Sequence, residues 1–110
     1  MAFVRLARFP GAGPQHFDAL TKALRDAPAP AGRLLFAAGP VDGGWQVVQV
    51  WSSQAELDAF NREHFLPALA SLGTGGFPAP PTLTDFSTAV LTWEAERPSH
   101  PELHDHDLAR

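Results

Sequence analysis

The fold is decided by residues 39–53, GPVDGGWQVVQVWSS, in which a glycine-rich turn runs directly into an alternating strand pattern. Two strands joined by so short a glycine-containing loop form an antiparallel hairpin. Residues of the second strand alternate between two faces, with Trp45, Val47, Gln49 and Trp51 on one and Val48 and Val50 on the other. Both faces are largely apolar, so both need to be covered by other parts of a fold.

Outward from this hairpin, the patterns predict three further elements before the last strand. Strands are predicted over 2–9, 33–38, 45–51 and 83–93, one helix begins at Pro14, and a second helix is opened by a capping box of Ser53 and Glu56. Pro67 should kink or break the second helix near 63–66. The order β-α-β-β-α-β predicts an α+β, ferredoxin-like fold, an antiparallel sheet with two helices on one face.

The helices of such a fold cover one side of the sheet. The other side is also apolar here, and an isologous homodimer that packs sheet against sheet would bury it. We therefore expect a homodimer.

Length and charge indicate one domain with a distinct tail. A chain of 110 residues with 45% apolar residues has the size of a single domain. Residues 1–93 carry six basic and seven acidic groups, whereas 94–110 carry two basic and five acidic groups, which leads to the net charge of −4. We predict a domain over 1–93 and an acidic, His-containing tail over 94–110. Nucleic acid is not an expected partner, because no basic stripe could follow a phosphate backbone.

The composition also excludes several kinds of site. Cysteine is absent, which excludes disulfides and thiolate chemistry and is compatible with a reducing cytoplasm. No apolar run approaches the roughly 20 residues of a membrane span, so we expect a cytoplasmic protein without a membrane partner. The tail residues His100, His104 and His106 lack a scaffold that would fix metal geometry, so no metal site is predicted.

The stretch 39–53, with its GW-x-V-V-x-V-W-x-S pattern, resembles the dimeric α/β-barrel superfamily. The likeness is closest to small bacterial proteins grouped with the antibiotic-biosynthesis monooxygenases, whose second helix carries a Phe and a late Pro-Ala-Leu, here Phe60 and residues 67–69. It covers 1–93 in element order and about 39–73 in specific residues. Relatives include cofactor-free monooxygenases, polyketide cyclases, haem-degrading enzymes and members with no known activity. The haem-degrading pattern includes an Asn on the first strand, which this chain lacks.

His64 is the predicted catalytic base. At about 100° per residue it falls on the same helical stripe as Leu57 and Phe60, facing the sheet. A neutral imidazole in an apolar pocket can accept a proton from a phenol or an enolisable carbon. Asn61 is predicted to orient a substrate oxygen or His64 itself. The alternative for His64 is a core histidine bonded to a backbone carbonyl.

Five residues are predicted to bind the substrate. Trp45 and Trp51 could form an aromatic wall, although core or interface packing explains them equally well. Phe60 lies on the predicted inner stripe, and Arg33 could hold a carboxylate or a developing oxyanion. Phe77 follows the glycine-rich segment 73–76, which is expected to act as a flap that Phe77 plugs.

Together these features predict a cofactor-independent monooxygenase-like enzyme with neither a metal nor another cofactor. Its substrate would be a small hydrophobic molecule of aromatic or polyketide type, activated as a carbanion or phenolate. The alternatives are a polyketide cyclase or isomerase that uses the same pocket, and a non-catalytic dimer that binds a small ligand.

Overall fold

The described part of the chain is residues 1–92 of a computed structural model, with only the backbone described at Thr74. The expected tail, 94–110, lies outside it together with its histidines and Trp93. The elements are β1 (Phe3–Pro10), α1 (Pro14–Ala23), β2 (Arg33–Val41), β3 (Gly44–Trp51), α2 (Gln54–Phe60), a π-helical turn (Asn61–Phe65), α3 (Leu66–Leu72), a 3₁₀ turn (Gly73–Gly75) and β4 (Thr82–Ser87). This order confirms the predicted α+β, ferredoxin-like fold.

The four strands form one antiparallel sheet in the order β2-β3-β1-β4. The predicted hairpin joins β2 to β3 through Asp42 and Gly43, and Gly43 has a φ of 75°, a conformation that glycine adopts without steric cost. In the register of the two central strands, Phe9 lies opposite Trp45 and Phe3 lies opposite Trp51. These residues and their alternate neighbours therefore share one face, which we call the inner face.

The last strand is shorter than predicted. The sequence pattern suggested a strand over 83–93, but β4 ends at Ser87, which lies opposite Phe3 at the start of β1. One further backbone hydrogen bond, from the Thr88 N–H to the Ala2 carbonyl oxygen (2.9 Å), closes the ladder.

The second helix is interrupted by a wider turn. Its start is as predicted, since the Ser53 hydroxyl accepts a hydrogen bond from the Glu56 N–H at 3.2 Å. At its centre the Leu66 N–H donates to the Asn61 carbonyl oxygen five residues earlier, which defines a π turn. Pro67 follows directly and has no N–H to donate, so the regular α-helical ladder cannot be continued there. The predicted break at Pro67 is thus an extra-wide turn over Asn61–Phe65.

The core lies between the inner face and the helices. One buried cluster joins Phe3 and Trp51 to Leu57 of α2, and Leu57 and Trp51 are 0% and 1% exposed. A second cluster is centred on Phe9 and Val47 and includes the half-buried Phe17 of α1. Within residues 1–92, no helix is both long and apolar enough to cross a membrane.

The opposite face of the sheet, which we call the outer face, is apolar as well. It carries Leu6, Leu35, Val48 and Phe86, and the Phe86 side chain is 51% exposed. Val4 and Val50 of the same face are buried, so the face is only partly uncovered. An exposed apolar surface on a small domain is typical of a protein interface.

Candidate functional site

A large cavity lies between the inner face of the sheet and the helices. Its volume is about 650 Å³, and it is partly open to solvent. Ala7 and Val47 form part of its floor, while Leu20 of α1 and Leu69 of α3 contribute from the helices. Cavities of this size bind small organic molecules, and they commonly have mainly apolar walls.

Phenylalanine rings dominate the wall of this cavity. Six of the eight phenylalanines of the chain line it, namely Phe9, Phe17, Phe36, Phe60, Phe65 and Phe77. Phe77 stacks on Phe9 with ring centroids 4.3 Å apart and an interplanar angle of 25°. The placement of Phe60 and Phe77 agrees with the sequence-based expectation. Rings of this kind present flat, apolar surfaces to a planar ligand.

The polar groups in the lining share one chemical property, because each can donate hydrogen bonds. They are Arg5, Thr21, Arg25, Arg33, Gln49 and Asn61. No Asp, Glu or His is among the lining residues that the structure describes, although the chain as a whole is acidic. The cavity therefore favours acceptor oxygens and negative charge.

The charge of Arg5 is matched within the sheet. Arg5 lies directly opposite Asp85 in the β1–β4 register, and its Nε and Nη2 donate to the two carboxylate oxygens at 2.9 and 2.8 Å. These bonds lower the pKa of Asp85, while the same pair raises the pKa of Arg5. A carboxylate whose pKa is held down in this way is a poor proton acceptor, so Asp85 is not a candidate base.

Arg33 differs from Arg5, because it forms no ion pair within residues 1–92. Its guanidinium carbon lies 4.5 Å from the ring centroid of Phe36 and 5.9 Å from those of Trp51 and Phe60. Burial lowers its pKa, since the charged form loses hydration there. Arg33, which the sequence predicts to bind the substrate, is thus a cation held by aromatic rings at the cavity wall.

Two amide side chains add neutral hydrogen-bond donors. The Trp51 indole N–H donates to Gln49 Oε1 at 2.9 Å. Because that nitrogen can only donate, the contact fixes the orientation of the Gln49 amide and leaves its NH₂ group for the cavity. Asn61, predicted to be functional, lines the cavity from the start of the π turn.

His64 is not among the residues that line the cavity. Its half-buried ring packs against Phe60, with centroids 5.5 Å apart. The count of 100° per residue misplaced it because the π turn advances by less than that for each residue. The turn instead directs Phe65 into the cavity.

The two tryptophans also lie outside the lining. Trp51 is buried with Phe3 and Leu57, and Trp45 packs on Phe17 with ring centroids 5.6 Å apart. They stabilise the floor and do not form the expected ligand wall, which the phenylalanines supply. Gln49 was missed as a site residue, although its position on an otherwise apolar strand face was the signal that could have found it.

Metal ligands do not cluster in the part of the chain that the structure describes. No group of three or more His, Asp or Glu side chains within residues 1–92 could hold an ion. The polar and aromatic side chains of the cavity lining are mainly phenyl rings, arginines and amides.

The fold and cavity together define a ferredoxin-like α+β protein with a ligand-sized chamber under its helices. No protein-family model and no curated protein matches the sequence. Solved structures do match the fold. A protein of unknown function from Nitrosomonas europaea aligns with a TM-score of 0.65 at 18% identity, over 86% of this chain and 96% of that one.

Other matching structures are proposed antibiotic biosynthesis monooxygenases. One from Chloroflexus aurantiacus has a TM-score of 0.62 at 17% identity, covering 84% of this chain and 98% of its own. Another from Caulobacter crescentus has a TM-score of 0.61 at 15% identity, covering 81% and 91%. At these identities the likeness shows a shared fold, which is the fold that the sequence resemblance implied.

Proposed function

We propose that the protein is a cofactor-independent monooxygenase-like enzyme that oxidises a planar, electron-rich aromatic molecule in the cavity between sheet and helices. One observation carries the proposal: the cavity of about 650 Å³ is walled by six phenyl rings, and every polar side chain in its lining can donate hydrogen bonds. Such a lining accommodates an aromatic body and favours the ionised form of a phenol or enol. The fold shared with proposed antibiotic biosynthesis monooxygenases supports the same reaction class.

The chemistry needs only the substrate anion and dioxygen. Loss of a proton from an activated CH₂ group leaves a carbanion or enolate, which adds O₂ to give a hydroperoxide. Loss of water from the hydroperoxide then forms a ketone, so one O₂ converts CH₂ to C=O and H₂O. The amides of Gln49 and Asn61 would hold the ionised oxygen, and the apolar walls would limit the water that reaches the intermediate.

Solvent is the proposed proton acceptor. Because the described lining contains no His, Asp or Glu, the hydrogen-bond donors Gln49 and Asn61 would lower the pKa of the bound substrate, and its proton would pass to solvent. His64 packs against Phe60 outside the described lining, so it could act as the base only if the side chains around it rearranged.

A second candidate function is ligand binding without catalysis. The absence of a base from the described lining favours it. The two functions differ in one observable, since a binding protein would take up the aromatic molecule and return it unchanged.

We also propose that two copies of the chain associate through the outer face. Leu6, Val48 and the half-exposed Phe86 form an apolar surface there. Sheet-to-sheet packing would cover it and would leave both cavities accessible on the opposite sides of the two sheets.

Oxygen uptake with anthrone as the probe tests the enzyme proposal. Anthrone is planar and has an activated CH₂ group, and its oxidation to anthraquinone can be followed by absorbance while an electrode records O₂. We expect catalysed uptake of one O₂ per quinone formed. Leu69→Trp, which fills the cavity, should abolish catalysis, whereas Leu34→Trp at an exposed position outside the lining should not. Tight binding of anthrone with no acceleration over buffer would instead establish the binding protein.

A further inference from the structure

We infer that the ligand of the cavity is an aromatic acid whose carboxylate is bound by Arg33. This inference rests on the proposed function, since it names the substrate class of the same cavity. It adds a chemical requirement that neither the fold nor the reaction class contains.

The three arginines of the lining differ in how their charge is matched. Arg5, Arg25 and Arg33 are the charged residues of the described lining. Arg5 is already neutralised by two hydrogen bonds to Asp85, and Arg25 is exposed to solvent. Only Arg33 combines partial burial with the lack of an ion-pair partner within residues 1–92. An unpaired cation removed from water is costly, so the site gains by accepting an anion.

Aromatic rings surround the guanidinium group of Arg33. The guanidinium of Arg33 lies over Phe36 and near the rings of Trp51 and Phe60, at 4.5, 5.9 and 5.9 Å. The rings hold the guanidinium group in place at the cavity wall without using its N–H donors in an ion pair within residues 1–92. The N–H edge of the guanidinium group is a planar fork of donors, which matches the two oxygens of a carboxylate.

A carboxylate differs from the phenolate or enolate that reacts in the pH range over which it is charged. A free phenol ionises near pH 10, so it enters the cavity uncharged at neutral pH and leaves Arg33 unpaired at the moment of binding. A carboxylic acid is already ionised at neutral pH, so it neutralises Arg33 as soon as the ligand binds. The reacting oxygen is then available to Gln49 and Asn61, the neutral donors of the same cavity.

Calorimetric titration with two matched probes, 2-naphthoate and the neutral 2-naphthamide, tests the inference without requiring turnover. A charge-assisted bond to a half-buried cation should make the acid bind about ten-fold more tightly than the amide. Arg33→Met should reduce the acid to the affinity of the amide and leave amide binding unchanged. Arg33→Lys should restore part of the preference, because it returns the charge without the planar fork. Arg62→Gln, at an exposed ion pair outside the lining, is the control and should retain the full preference.

The outcomes separate the two proposals. If the wild-type protein binds both probes equally, or if Arg33→Met still prefers the acid, the inference about Arg33 is wrong while the cavity remains a binding site. If neither probe binds the wild-type protein, the aromatic-ligand cavity itself is wrong, and both proposals fall together.

Discussion

At the scale of single residues, the main distinction is between the two inner-face arginines. In the register of β1 and β4, Arg5 lies opposite Asp85. Arg33 lies on the edge strand β2 of the same face, where its neighbour on β3 is Trp51. The sequence presents both as arginines near strand ends. Only strand pairing decides that one is neutralised and the other is not, which is why sequence patterns alone could not separate their roles.

The Arg5–Asp85 pair should make stability depend on pH in acid. The folded-state pKa of Asp85 is lowered by Arg5, so the pair stabilises the protein above about pH 4, the unfolded-state value, and is lost as the pH falls through the folded-state value. Both side chains are partly exposed, so the contribution is roughly 0.2–1 kcal/mol. Urea unfolding should show Asp85→Asn less stable than wild type at neutral pH, with the difference shrinking in acid.

The control for this experiment is Asp26→Asn, at an exposed residue that forms no ion pair within residues 1–92. The free energy of unfolding of Asp26→Asn should stay close to that of the wild type at every pH. A loss in Asp85→Asn that is the same at neutral and acidic pH would show that the pair is not its cause.

Asn61 and His64 give a matched pair for catalysis, because they are one turn apart and only Asn61 lines the cavity. Asn61→Ala should lower kcat for anthrone oxidation by about 10²-fold, the usual cost of one lost oxyanion donor. His64→Gln should leave kcat nearly unchanged and affect mainly the melting temperature. If His64→Gln abolishes turnover while the fold and probe binding persist, His64 is the base after all and the side chains around it must rearrange during the reaction.

At the scale of elements, the hairpin was predictable because its signals are local. Gly43 supplies the positive φ of the turn, and the alternation of β3 fixes which side chains face inward. The second helix was only partly predictable. Its cap at Ser53 and its interruption near Pro67 could be read from the sequence, but the π turn could not, since the choice between a kink and a widened turn depends on packing. That choice determined which side chains enter the cavity.

The hairpin also contains a position where only glycine fits. A Cβ placed on Gly44 would meet the Phe9 carbonyl oxygen and lie only 3.1 Å from the Phe9 carbonyl carbon and 3.2 Å from the Pro10 Cα. Gly44→Ala should therefore lower the free energy of unfolding by about 1–3 kcal/mol. Gly39→Ala in β2, where a Cβ meets open space, should have little effect. If chemical denaturation showed the same loss of unfolding free energy for both substitutions, the close approach of β1 and β3 at Gly44 would be contradicted.

At the scale of the whole molecule, the apolar outer face predicts self-association. A homodimer should have twice the 11.8 kDa mass of the chain in light scattering. Phe86→Lys should shift the protein towards the monomer, because it places a charge on the proposed interface. Ala70→Lys, at an exposed position of α3, should not. A wild-type protein that remains monomeric at high concentration would contradict the proposed dimer.

The cavity itself could be anticipated only in outline. The sequence predicted an apolar pocket between sheet and helices and placed Arg33, Phe60, Phe77 and Asn61 in it. It could not show that Phe17, Phe36 and Phe65 converge there from three different elements, because such convergence depends on how the helices pack across the sheet.

A crystal structure of the protein with 2-naphthoate tests most directly whether this cavity is the functional site. We expect the naphthalene rings to lie among the phenylalanines and the carboxylate to lie at hydrogen-bond distance from the guanidinium of Arg33. An empty or collapsed cavity at saturating ligand, with the naphthoate bound elsewhere on the protein, would contradict both the site and the function proposed for it.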